Sequence, residues 1–305
     1  MEALRSPDEI RDVNTRYHDV AASSYDSKWG IDFGEIGRSQ VLGKLSKVLG
    51  DEIEPGYERS LEIGAGTGYF SLNLMQAGVV KQATCTDISP GMVTTLSANA
   101  ARLGLKVKAA RADAEALPFP DRSFDLVLGH AVLHHLPDLE SAFAEFHRVL
   151  RPGGRLVFAG EPSRFGDRLA RIPKRSAQSL SPLWRRLMRA RPAPAPGGGG
   201  AEDEHEHALE HVVDIHAFVP ADLAGHAKRA GFEEVKVRGE ELVASWFGWF
   251  NRALEASATP EDVPMLWRKY AFHGYLVLQR LDHHVLEPNL PPALFYNLLL
   301  SARRP

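Results

Sequence analysis

Three glycines at alternate positions, Gly64, Gly66 and Gly68, lie between two carboxylates: Glu62 just before them, and Asp87 about twenty residues beyond the last. Leu61 to Ile63 reads as a short buried strand. The glycines after it let the chain turn sharply and keep side chains clear of a ligand. A helix follows from about Tyr69 to Ala77, and a second apolar run ends in Asp87. There a carboxylate at a strand tip can take both hydroxyls of a ribose, so the pattern is that of a nucleoside-binding βαβ unit. A second reactive set comes later: His134 and His135 in LHHLPD, and Glu161 in AGEPS. These are side chains that can accept a proton in acid–base chemistry.

The surrounding elements are those that would position such residues. Arg38 to Leu49 carries Val41, Leu42, Leu45, Val48 and Leu49 on one helical stripe. After Asp87, Ser89 is an N-cap and Pro90 a first helical residue. Val107 to Ala110 is a third short strand, and Asp113 to Ser123 a loop. Phe124 to Leu128 is a continuous apolar run, as in a strand buried on both faces. Leu139 to Leu150 is an amphipathic helix, stopped by Arg151-Pro152-Gly153-Gly154 before a fifth strand, Arg155 to Ala159. Repeated strand–helix alternation predicts a doubly wound α/β fold.

Composition narrows the function classes. The chain has 305 residues, 44% of them hydrophobic, enough for one well-buried core with additions. A net charge of −3 gives no general attraction to nucleic acid, and none is expected as a partner. Cys85 is the one cysteine, which excludes an internal disulfide and a cysteine zinc cluster, so no metal site and a cytoplasmic location are expected. The start, MEALRSPDEIRDVN, has no apolar core of a leader, and no run approaches the ~18 apolar residues that would insert in a bilayer.

Nicotinamide enzymes share the physics of a glycine loop, but their usual third glycine in GxGxxG is absent, since position 69 is Tyr. The wider set of segments is more specific. LEIGAGTG at 61 to 68, CTDIS at 85 to 89, ADAEALPFPDRSFDLV at 112 to 127, LHHLPD at 133 to 138 and HRVLRPGGRLVF at 147 to 158 occur in order over about residues 58 to 162. Together they resemble the class I S-adenosylmethionine-dependent methyltransferases, in particular the group similar to the ubiquinone and menaquinone methyltransferases. The resemblance implies a Rossmann-like, mostly parallel seven-stranded sheet with helices on both faces and an added helical cap. It implies S-adenosylmethionine as cofactor. Glu62 would meet the methionine amino group, often through water, and the backbone of Gly64, Ala65, Gly66 and Gly68 would approach the amino-acid part and ribose. Asp87 would bind the ribose, with Ile88 and Met92 flanking the adenine. Asp113 would accept from the adenine amine with Ala114 beside it, and the main-chain carbonyl of His130 would lie near the cofactor amine.

A sulfonium is already an activated methyl donor, so holding an acceptor in line supplies much of the rate. A base matters mainly for a hydroxyl acceptor, and His134, His135 and Glu161 are the candidates. A small molecule bearing a hydroxyl, such as a phenol, quinol or sugar, is the expected acceptor. Carbon and nitrogen acceptors stay open, as does a cofactor-binding regulatory protein that has lost catalysis.

The remaining segments are less specific. Residues 1–50 are read as an N-terminal helical segment over the cofactor site, in which Tyr17, Tyr25 and Trp29 either pack or form a lid. Residues 51–163 form the core, and 164–215 a variable insertion: a basic stretch read as a short helix pair, a linker at Pro192 to Gly200, then an acidic segment. Within it, His207-Ala208-Leu209-Glu210-His211 matches a zinc motif, but it lacks a third ligand and is read as an exposed helix start. Residues 216–305 complete the sheet, with a helix from about Pro220 to Ala230, a strand at Glu233 to Val237, a cap inserted at about 240–293, and a last strand that in the family runs antiparallel. Trp246, Phe247, Trp249, Phe250 and Trp267 in the cap would line an acceptor cavity, pack the added helices, or make a homodimer contact.

Overall fold

The computed structural model describes residues 6–22, 25–26, 30–53, 56–193 and 216–305. Trp29, most of the Pro192 to Gly200 run and the His207 to His211 motif lie outside the described residues. Seven strands form one sheet: β1 Tyr57–Ile63, β2 Val80–Asp87, β3 Val107–Arg111, β4 Phe124–His130, β5 Leu150–Pro162, β6 Glu233–Glu240 and β7 Asn297–Arg303, in the order β3-β2-β1-β4-β5-β7-β6. β1 pairs in parallel with β2 and with β4, and β2–β3 and β4–β5 are parallel as well. β7 is antiparallel to β5. Gly153 N–H donates to Arg304 O and Arg304 N–H to Gly154 O at one end, while Ser163 N–H donates to Tyr296 O at the other.

The apolar runs become the central strands because both of their faces are covered. Every residue from Phe124 to Gly129 in β4 is buried. Val41, Leu45, Val48 and Leu49, the stripe expected on the helix Glu35–Leu49, pack with Phe70, Leu74, Val80, Cys85, Leu126 and Leu128 into the main core. Burial pushes the Cys85 thiol far above its ordinary range and leaves it unreactive. Asp125 is the polar exception in β4, and its carboxylate accepts from Glu58 N–H at 2.7 Å and Arg59 N–H at 2.9 Å, tying the start of β1 to β4.

Two local expectations change. Arg151-Pro152-Gly153-Gly154 does not precede the fifth strand but lies inside it. Leu150 already pairs with Phe124, and the register slips before Leu126 meets Arg155, so the Pro-Gly-Gly run makes an irregularity in the strand instead of a stop. The basic stretch is one helix, Arg164–Met188, and not a short pair. Pro173 is on its buried side, where packing holds a helix that propensity alone would break.

The chain falls into two compact units, one comprising Met1–Glu161, His205–Arg238 and Leu299–Pro305, the other Pro162–Glu204 and Gly239–Leu298. The second unit is helical, with Arg164–Met188, Val243–Ala256 and Met265–Leu281 as its long elements. Trp184, Ala177, Leu254, Ala258 and Val263 form its core, with Phe250 and Trp267 against it. Trp249 meets Tyr296 edge-on at 4.6 Å and has Lys174 over its ring, so three of the cap aromatics pack within this unit. Phe247 lies in an open apolar groove with Leu266, Tyr270 and Val277. Among the described residues no helix is long and apolar enough to cross a membrane.

The β1–β4 tie gives a stability prediction. Asp125→Ala leaves two backbone donors without their carboxylate, and should cost about 2–4 kcal/mol in urea unfolding. A loss below about 0.5 kcal/mol would mean water replaces the carboxylate there.

Candidate functional site

Strands β1, β2 and β4 all end at one edge, and β1 is flanked there by β2 on one side and β4 on the other. This is the switch point at which an open parallel sheet forms a crevice. A cleft partly open to solvent occupies it. Ile63 and Gly64 from β1, Thr86 and Asp87 from β2, Ala112 to Ala114 after β3, and His130 to Val132 from β4 line its floor. Gly64 has φ +58, and a Cβ there would stand 2.3 Å from Val132 Cγ2, so only glycine lets the two strand ends meet. Gly66 has φ +52, and a Cβ on it would meet only the Tyr25 ring at 4.0 Å.

Each floor carboxylate is held by backbone. Asp87 accepts from Gly66 N–H at 2.8 Å through one oxygen and from Ser89 N–H at 2.9 Å through the other. Each oxygen retains a lone pair for a further donor. Asp113 accepts from Glu115 N–H at 3.0 Å, and its other oxygen is 3.0 Å from Arg11 Nε. Of the expected residues, Gly64, Gly66, Asp87, Ile88, Asp113, Ala114, His130 and His135 line the cleft. Glu62, Ala65, Gly68, Met92, His134 and Glu161 lie outside its lining.

Those outside have visible work of their own. Ala65 N–H donates to Thr86 O at 2.9 Å, Gly68 caps the next helix at φ +97, and Met92 is fully buried with its N–H on Ser89 Oγ. Glu62 is buried and accepts from Ser71 N–H at 2.9 Å. Burial pushes its carboxyl up from 4.5 to about 7, the Ser71 hydrogen bond opposes the rise, and nearby Asp87 adds to it. Glu161 is fully buried; one oxygen accepts from Val132 and Leu133 N–H at 3.0 Å each, and the other from His134 N–H at 3.2 Å and meets His134 Nδ1 at 2.8 Å. Burial alone would raise it, but the His134 imidazole and the Leu133 and Val132 N–H groups hold its carboxyl below the ordinary range. Glu161 and His134 thus fix the chain after β4. His130 stacks on Phe70 at 4.8 Å.

The other wall is a helix whose contribution the sequence reading leaves unspecified. Pro7–Ala21 starts at a capping box, Ser6 with Glu9, and presents Arg11, Asn14 and His18 to the cleft. Their spacings of three and four residues put them on one helical face, and this polar stripe is the signal that would have found them. Arg11 also pairs with Glu115, and Asp19 accepts from Gly91 N–H at 2.9 Å, so the helix is held at both ends. Asn14 donates to His135 O at 3.4 Å, while its Oδ1 is buried with no partner among the described residues. His18 Nδ1 is 2.8 Å from Asn14 O; a carbonyl only accepts, so Nδ1 carries the hydrogen and the neutral ring keeps Nε2 as an acceptor. The His18 and His135 rings meet edge-on at 5.4 Å, and Tyr25 joins them at the lining.

A sequence model described as a methyltransferase domain matches residues 61–158, the stretch from the glycine loop to β5. Residues 61–158 are thus a methyltransferase domain, similar to those of the class I S-adenosylmethionine-dependent enzymes. It is 35% identical over 159 residues to a malonyl-[acyl-carrier protein] O-methyltransferase of Methylococcus capsulatus, covering 48% of this chain and 54% of that one. It is 38% identical over 105 residues to a demethylmenaquinone methyltransferase of Thermus thermophilus, covering 34% of this chain and 48% of the relative. The chain therefore spans about half the length of the curated relatives it matches. Among solved structures, a Haemonchus contortus phosphoethanolamine N-methyltransferase 2 bound to S-adenosylhomocysteine superposes with a TM-score of 0.58 at 16% identity, covering 99% of this chain and 61% of that one. The [4+2]-cyclase SpnF superposes at 0.57 and 19% identity, covering 97% of each chain. These two likenesses show the methyltransferase fold.

The residues present fit S-adenosylmethionine. Asp87 offers a diol its acceptors, the open side of Gly66 leaves room against the backbone, Ile88 and Ala114 give apolar wall, and Asn14 Oδ1 is a buried acceptor wanting a donor.

Glu62 supplies a pH test. A carboxyl raised on folding contributes stability that is fully present below its unfolded value and lost as pH rises through its folded value. Stability of the ligand-free protein should therefore fall between about pH 5 and about pH 8 by up to ~3 kcal/mol on account of Glu62. Glu62→Gln should flatten that limb in thermal melts, and an unchanged limb in the variant would place the dependence elsewhere.

Proposed function

We propose that this protein transfers a methyl group from S-adenosylmethionine to a hydroxyl of a small-molecule acceptor such as a phenol, quinol or sugar. The observation that carries the reading is a single cleft holding a strand-tip carboxylate, Asp87, together with the neighbouring imidazoles of His18 and His135. Asp87 would take the ribose hydroxyls, with the Gly64 to Gly68 backbone against the amino-acid part and Ile88 and Ala114 against the adenine. Glu62, beneath the loop, holds the helix that follows it through Ser71 N–H. When bound, the cofactor supplies a methyl group on a positively charged sulfur, ready for in-line attack.

Proton removal from the acceptor falls to the residues at the lining. His18 is the better-defined base, because the Asn14 carbonyl fixes its tautomer with Nε2 as the acceptor. His135 stands beside it. His134 and Glu161 are positioning residues on this reading: their buried pair sets the chain that carries His135, and neither lines the cleft. The relatives carry names of O- and C-methyltransferases and a structural neighbour that of an N-methyltransferase, so the hydroxyl assignment rests on the imidazoles. A cofactor-binding protein without catalysis would need no acceptor space, and the cleft beside the histidines favours the enzyme.

Calorimetric titration with S-adenosylhomocysteine and transfer of a labelled methyl group to a panel of phenols, quinols and sugars test this. Asp87→Ala should weaken S-adenosylhomocysteine binding by about 1.5–3 kcal/mol, the loss of charge-assisted hydrogen bonds. His18→Ala and His135→Ala should keep that affinity; the variant that removes the base should lower kcat by about 10²–10⁴-fold and abolish the acid limb of the pH–rate profile. Tight binding with no transfer to any hydroxyl, and transfer to an amine or carbon acceptor unaffected by either variant, would sink the hydroxyl assignment.

A further inference from the structure

Within the helical unit, Arg164–Met188 is buried along one face only, made by Gly166, Ala170, Pro173, Ala177, Ser181 and Trp184. At about 100° per residue, Phe165, Ile172, Leu180, Leu183 and Leu187 all fall in one arc of about 80° away from that face. Their exposures run from 46% to 68%, so the described residues leave this stripe open. It extends for about 33 Å along the helix. The adjoining strip carries Arg168, Arg175 and Arg186, none with an ion pair among the described residues. Asp167 is the only acid in the helix, and it lies 3.5 Å from Arg171.

We propose that this helix docks the protein on an anionic lipid bilayer, lying flat with the leucine stripe in the acyl boundary and the arginines at the headgroup phosphates. An apolar stripe bordered by basic residues is the pattern of an interfacial helix. Neither half suffices alone. A nucleic acid or acidic protein would engage the arginines but leave five large apolar side chains in water. A second copy docked antiparallel through the same stripe would bring one arginine row against another. With an overall charge of −3 the attraction must come from this helix, and no described helix is built to span.

The test is co-sedimentation of the full chain with vesicles of phosphatidylcholine alone and of phosphatidylcholine mixed with phosphatidylglycerol. The expected result is capture by the mixed vesicles, falling with added salt, and little by phosphatidylcholine alone. Replacing Arg168, Arg175 and Arg186 together by Gln should weaken capture on the order of a hundredfold, roughly fivefold for each arginine. Leu183→Asp with Leu187→Asp should abolish it, and both sets of changes lie on solvent-facing positions, with folding followed by circular dichroism. Capture lost with the arginines but unaffected by the leucine changes would mark a mere anion patch and overturn the proposal. So would no capture by either vesicle, or a dimer in sedimentation equilibrium that the leucine changes dissociate.

Discussion

The end of a parallel strand leaves backbone donors that no neighbouring strand can reach, and in this fold carboxylates, most of them buried, take them. Asp87 accepts from Gly66 and Ser89, Glu62 from Ser71, Asp113 from Glu115, and Glu161 from Val132, Leu133 and His134. An unpaired buried N–H costs about as much as several surface contacts return, so these acids are structural before they are functional. The same requirement makes the site. Turning the chain tightly after β1, β2 and β4 gathers the acids at one edge, and the floor of the cleft is what remains between them.

This dual role explains what was legible in the sequence. The glycine loop, Asp87 and Asp113 are local in sequence and sit at strand tips, so a motif reading places them at the cleft. The strand and helix pattern was readable for the same reason, since β4 is apolar throughout and the helix after Asp87 begins at a Ser-Pro cap. Irregular features were not. The Pro-Gly-Gly run of β5 looks like a terminator in isolation, but pairing with β4 and β7 on either side carries the strand through it. The basic stretch, read as a short helix pair, is one helix at 164 to 188, in which Pro173 is buried and tertiary packing overrides its propensity. The N-terminal helix supplies Arg11, Asn14 and His18 from more than forty residues before the loop, where only a polar stripe at helical spacing announces them.

The candidate bases show how burial sorts similar residues. The sequence ranks Glu161, His134 and His135 together as proton acceptors. In the structure the first two neutralise one another in the interior, and a carboxyl held below its ordinary range by an adjacent imidazole is a poor proton acceptor. His135 reaches the cleft, and His18 arrives there from a different element with its tautomer fixed by the helix backbone.

The charge of the lining bears on the proposed reaction. Asp87 and Asp113 face the cleft, and the one permanent cation there, Arg11, is held by Asp113 and Glu115. With the imidazoles neutral, the acids outweigh the base. Such a wall binds a cationic sulfonium better than the neutral thioether left after transfer, and in a partly closed site the difference is larger than in water. The electrostatics of the floor thus bear on the cofactor, while the proposed choice of a hydroxyl acceptor rests on the imidazoles of the wall.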